Sequence, residues 1–164
     1  MDILSELKAE LKSEYEVTKK FFESFPEGKN DYAPHEKSMK LMFLATHISE
    51  TFAWPKYIIT TSELDFGKGD YKMPQIATKA ELLQRLDDDF KAGLEGLEAA
   101  KEDQLSQHWA IKNNGQTLME WSKYFALRHA LSQAIHHRAQ LGVYYRLNAI
   151  TLPESYGPSA DTVF

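Results

Sequence analysis

Three imidazoles and an amide fall within one apolar helical segment, RHALSQAIHHRAQL (128–141): His129, Gln133, His136 and His137. Helix interiors normally carry Leu, Ile and Val, and a buried polar group without a partner costs about 1–3 kcal/mol. The stripe formed by Ser132, Gln133 and the His136-His137 doublet is therefore expected to be buried against either a metal ion or a hydrogen-bond network. Residues i and i+4 lie on one helix face with Cβ atoms about 6 Å apart, the spacing at which two side chains can reach one ion. The available pairs are His129/Gln133 and Gln133/His137. His129 and His137 stand about 12 Å apart along the axis, too far to share an ion. His136 points about 100° away from His137, so the doublet is not a chelate. A further ligand must come from another helix. His47, flanked by Phe43, Leu44, Ile48 and Thr51, is the best candidate. Glu50 follows it by about one turn and could support a ligand or serve as a base. Without a metal, the same residues are hydrogen-bonded core groups, with Gln133 paired to His47 or His137.

Four helical segments are predicted to position these groups. The first spans about 2–25, with Leu4, Leu7, Leu11, Tyr15, Thr18, Phe22 and Phe25 on one face; Pro26 and Gly28 end it. The second begins after Pro34 and runs through KSMKLMFLATHISETFAW. It is apolar on several sides and so central, and Pro55 kinks or ends it. The third opens at the capping box Thr78-Lys79-Ala80-Glu81, followed by Leu82, Leu83, Leu86, Phe90, Leu94 and Leu97 at helical spacing. The fourth opens at a second such box, Thr117-Leu118-Met119-Glu120, and runs to about Asn148. Segments 56–77 and 102–116 are turn-rich. Lys112-Asn113-Asn114-Gly115 is a predicted turn, and His108-Trp109-Ala110-Ile111 a short extended piece. The tail LPESYGPSADTVF packs on the helices. With no repeat, linker or low-complexity stretch, residues 1–164 form one domain. The expected fold is all-α, an antiparallel four-helix bundle with long connections.

Composition narrows the function. The 164 residues include no cysteine, which rules out thiolate zinc sites, iron–sulfur clusters and cysteine nucleophiles and fits a reducing compartment. The charged N-terminus, MDILSELKAELKSEYE, lacks the features of a signal peptide. The longest strongly apolar run, LMFLA (41–45), is far short of the ~20 residues that span a bilayer. A soluble cytoplasmic protein with no membrane partner is expected. The net charge is −5, with 24 acidic residues mixed among 19 basic ones, and no basic stripe suggests a nucleic-acid partner. Asp87-Asp88-Asp89 is a solvated acidic helix face.

His47 in LATHISETFAW, HHRAQLGVYYRL (136–147), SYGPSAD (155–161) and APHEKSMKLMFLATHI (33–48) together resemble the DinB/YfiT-like family of small bacterial helical proteins. The resemblance covers nearly the whole chain. It implies a divalent metal held by three histidines, one on the second helix and an HxxxH pair on the last helix just before Arg-Gly-Gln. His47 matches the first position and His137, directly before Arg138, the last. The middle position falls on Gln133, and the family's glycine is Ala139. An amide oxygen is a weaker and harder donor than imidazole for zinc or nickel, so the implied site binds loosely and keeps water; His129, a turn away, could pair with Gln133.

Two functions follow from the resemblance. One is an enzyme that acts on a small molecule as a thiol S-transferase using a low-molecular-weight thiol, a thiol-dependent isomerase or a hydrolase. In it the metal activates a thiol or water and Glu50 or a tyrosine assists proton transfer. The other is a non-catalytic ligand-binding or stress-response module that keeps the cavity and loses tight metal binding. A homodimer through the first and last helices is expected in both. Arg138 and Gln140 are expected to brace neighbouring helices, His129 to line the interior cavity, and His136 to be structural or solvent-facing. Trp54, Trp121, Tyr144 and Tyr145 are expected in the core before any pocket.

Overall fold

The computed structural model describes residues 2–69 and 73–162. α1 (Ile3–Glu23) starts where the Asp2 carboxylate accepts the Ser5 N–H at 3.0 Å, and it buries Leu4, Leu7, Leu11, Thr18 and Phe22 as their spacing predicts. α4 (Lys79–Ala99) begins at the predicted capping box. Thr78 Oγ1 accepts the Glu81 N–H, and the Glu81 carboxylate accepts the Thr78 N–H at 3.0 Å. Leu82, Leu86 and Leu97 lie on its buried face.

The second predicted helix divides in two. α2 (Leu41–Thr51) starts later than expected, and α3 (Trp54–Thr60) begins a new axis with Pro55 in its first turn. Proline suits a helix start because its missing N–H would have no partner there. Pro55 therefore opens a helix as much as it ends one. α2 packs against both α4 and α5 (Lys123–Leu147), as a central helix should, although Phe43 is 48% exposed. Gly93 and Gly96 of α4 permit α3 to come close. A Cβ at Gly93 would strike the Phe52 carbonyl oxygen, and one at Gly96 the Lys56 backbone.

The fourth predicted helix starts five residues too early. Residues 117–122 belong to a strand, β3 (Gln116–Ser122), antiparallel to β2 (His108–Asn113), while β1 (Glu63–Asp65) pairs with β2 in parallel. Asn114 and Gly115 form the two-residue hairpin turn with φ of 50° and 79°, the left-handed values that favour Asn-Gly. The Asp65 carboxylate accepts the N–H groups of Gly67, Asn114 and Gly115 at 2.9, 2.8 and 2.8 Å and fixes that turn. Pairing with β2 thus overrides the Thr117 capping pattern, and Ser122 caps α5 instead, accepting the Phe125 N–H at 3.2 Å. The all-α expectation is corrected accordingly. Among the described residues the fold is mostly helical, with five α-helices and a three-stranded sheet in the order β1-β2-β3. Trp109 of β2, 1% exposed, joins the sheet to the helical core, and its Nε1 donates to Thr61 Oγ1 at 3.1 Å.

The tail packs on the helices as expected. Tyr156 donates its hydroxyl proton to Glu14 at 2.7 Å and accepts from Arg138 at 3.0 Å, and Asp161 forms a two-point ion pair with Arg146. Tyr144 and Tyr145 are buried and bond the carbonyl oxygens of Met39 and Phe21. No helix among the described residues is long and apolar enough to cross a membrane.

Candidate functional site

α2 and α5 bring His47 and His137 together. Their ring centres are 4.8 Å apart and their planes meet at 73°. His137 is 8% exposed; burial pushes its imidazole below the usual histidine range, and the charge of His47 acts in the same direction. Nδ1 of His137 faces Gln140 Oε1 at 2.9 Å, and Nδ1 of His47 lies 3.8 Å from Glu50 Oε2.

The expected polar stripe is not buried as a whole. α5 turns Ala130, Ala134, His137, Arg138 and Leu141 inward. Ser132, His136 and Gln140 form an exposed line at spacing four, where water satisfies them. Gln140 spans the doublet: its amide nitrogen is 3.0 Å from Nε2 of His136 while its oxygen meets His137. Arg138 is a brace, as expected, with its guanidinium against Glu14, Thr18 and Tyr156.

Gln133 is half-buried and its amide nitrogen lies 3.3 Å from Nε2 of His129. His129 stacks on Trp121 with ring centres 4.7 Å apart, and burial holds its imidazole low. Of the two spaced pairs on this helix, His129/Gln133 is the one in contact. Among the described residues, no group of three or more His, Cys, Asp or Glu side chains is arranged to hold an ion.

Glu50 is 4% exposed and faces two ways. Beyond its approach to His47, it lines a cavity of about 440 Å³ between α2, α3, α4 and the sheet, together with Trp54, Tyr57, Arg85 and Trp109. Asp89, 5% exposed, backs this end, accepting from Ser49 Oγ at 2.9 Å and Arg85 Nε at 2.6 Å. Burial raises the Asp89 carboxyl above its ordinary value; Arg85 opposes the shift and the charge of Glu50 adds to it. Sequence reasoning assigned Asp89 to a solvated face and passed over Arg85. Their signal was the spacing of four between them, together with two glycines, Gly93 and Gly96, inside one helix, which mark a close approach.

A profile of the DinB family matches residues 2–162. The crystal structure of a DinB-like protein from Bacillus subtilis superposes with a TM-score of 0.71 at 23% identity, covering 92% of this chain and 97% of that one. One assigned to the DinB family from Exiguobacterium sibiricum gives 0.69 at 18% identity, covering 98% and 97%. A DinB-like protein from Bacillus cereus gives 0.64 at 19% identity, covering 88% and 92%. No curated protein matches the chain. At these identities the structural likenesses speak for the fold, and with the profile spanning almost every residue, the chain belongs to the DinB family.

Proposed function

We propose that this chain is a divalent-metal-binding protein acting on a small molecule, with His47 and His137 as its nitrogen ligands. One observation carries the reading: the two imidazoles, from separate helices, lie 4.8 Å apart with Nδ1 of each directed at an oxygen. Rings that bind one ion at about 2.0–2.1 Å have centres roughly 5 Å apart, so the spacing suits a shared ion. A ligating histidine commonly gives its other nitrogen to an oxygen, a role open to Gln140 and Glu50. Among the described residues no hydrogen bond engages Nε2 of either ring. Burial keeps His137 neutral near pH 7, the form that binds metal. Gln133 is the third ligand that the family pattern implies; with its amide nitrogen toward His129, only its carbonyl oxygen is left to donate. The residues thus fit a loosely held ion.

A zinc or nickel ion bound there would lower the pKa of a thiol or water and supply a nucleophile at neutral pH. Glu50 is the base in this reading. It is buried, near His47 and on the cavity wall, so it can take a proton from a thiol or water in the cavity. The reaction is thiol transfer or hydrolysis, and the thiol is a small cosubstrate because the chain has no cysteine. α1, α2, α4 and α5 are read as the four members of an antiparallel bundle in a cytoplasmic homodimer. A second reading, a non-catalytic stress-response or ligand-binding module, is favoured by the Gln133–His129 contact, which satisfies the amide without a metal.

Metal content of the purified protein and calorimetric titration with zinc and nickel test the first reading. Saturable binding is expected in the parent, lost in His47→Ala and His137→Ala, and tightened about tenfold or more in Gln133→His, since imidazole replaces an amide oxygen. Unchanged affinity in all three variants would remove these residues from any metal site and leave the second reading.

A further inference from the structure

We propose that the cavity bounded by Glu50, Trp54, Tyr57 and Trp109 binds a small organic cation with an aromatic or apolar body. The proposal needs no ion at His47 and His137.

The cavity volume, about 440 Å³, lies in the range of small-molecule sites. Its walls are mostly apolar. Two tryptophans and a tyrosine line it, along with Ile58 and Leu64. Aromatic faces attract cations through their quadrupoles, Trp most strongly, and aromatic cages recognise alkylammonium groups in this way. The polar end supplies the complementary sign. Glu50 and Asp89 are 4% and 5% exposed, and one guanidinium, Arg85, stands with these two carboxyl groups. Arg85 gives its Nε to Asp89 at 2.6 Å. That end therefore carries a formal negative charge in a poorly hydrated place, where a cation is attracted more strongly than in water. The raised carboxyl of Asp89, which responds to the charge of Glu50, is a sign of the same crowding. Lys56 also borders the cavity, but its ammonium is exposed and paired with Glu95 at 3.0 Å. His47, behind Glu50, adds positive charge only when protonated.

Three probes of one shape and different charge test this: 2-phenylethylamine, 2-phenylethanol and 3-phenylpropionate. They are titrated into the protein with tryptophan fluorescence and calorimetry as readouts, once after chelation and once with zinc present. The amine is expected to bind about tenfold tighter than the alcohol, with the acid weakest. Glu50→Gln should bring amine and alcohol within about twofold of each other, and Tyr57→Ala should weaken both. The acid binding as tightly as the amine, or no saturable amine binding at millimolar concentration, overturns the proposal. So does a folded Glu50→Gln protein that keeps the preference. If Glu50→Gln does not fold, the probe series on the parent protein decides. The chelated arm separates this outcome from failure of the metal reading.

Discussion

Arg138 and Glu14 form the most enclosed ion pair among the described residues, with side chains 3% and 5% exposed and a 2.6 Å contact. The guanidinium also bonds the Glu14 carbonyl oxygen at 3.2 Å, Thr18 Oγ1 at 3.0 Å and the Tyr156 hydroxyl at 3.0 Å. Replacing Arg138 by Met keeps much of the packing volume and leaves a buried carboxylate without its countercharge. Breaking one side of such a pair costs about 3–5 kcal/mol, a large part of the 5–15 kcal/mol that holds a typical domain together. For a chain of 164 residues the melting temperature should fall by roughly 10 °C. Glu14→Gln/Arg138→Met removes both charges and should recover more than half of that loss, because no uncompensated ion remains. Urea and thermal unfolding, followed by circular dichroism for the parent, both single variants and the double variant, measure the coupling. A cost below about 1 kcal/mol in Arg138→Met, or single-variant losses that simply add in the double, would refute the reasoning.

Tyr156→Phe takes one hydroxyl from the same network and should cost about 1 kcal/mol in urea unfolding; no change would mean that the tail is not held there. Gly115→Ala introduces a Cβ at φ 79° into open space, so the cost is backbone strain of about 1–2 kcal/mol with little change in the core; a neutral result in the same assay would argue against the left-handed turn. Gly93→Ala forces a Cβ into the Phe52 carbonyl oxygen and should cost about 1–3 kcal/mol or more while perturbing the near-ultraviolet signal of Trp54, which a simple loss of helix propensity would not do. Burial holds His129 and His137 below the ~6.5 of an unfolded histidine, so the unfolded chain binds more protons as acid is added. The stability present above about pH 6.5 is lost as the pH falls through the lower folded-state values. In metal-free protein the urea midpoint should drop from pH 7 to pH 5, and the drop should shrink in His129→Gln/His137→Gln; an undiminished drop would assign it elsewhere.

The two candidate caps show where sequence reasoning held and where it failed. Thr78-Lys79-Ala80-Glu81 and Thr117-Leu118-Met119-Glu120 have the same pattern, and only the first caps a helix. The difference lies outside both tetrapeptides. The Asn114-Gly115 turn offers residues 116–122 a strand partner, and Asp65, about fifty residues upstream, locks that turn. The predicted extended piece at His108–Ile111 was half of this hairpin; its other half was hidden in a segment with helical spacing. Strand formation depends on neighbours more than on local preference. HHRAQ and SYGPSAD, recognised separately as motifs, meet through Arg138 and Tyr156, so part of what makes them recognisable is a structural latch.

By itself the sequence determined the identity of the buried helix faces, most helix boundaries and the residue types at the candidate site, because apolar spacing and caps act over a few residues. It also limited ligands to imidazole, carboxylate and amide by containing no cysteine. Only the tertiary structure decided that His47 meets His137, that Gln133 turns to His129, and that Glu50 and Asp89 share one end of an aromatic cavity. Those contacts join residues from different elements, and their partners are set by how α2, α4 and α5 pack, which no local pattern encodes.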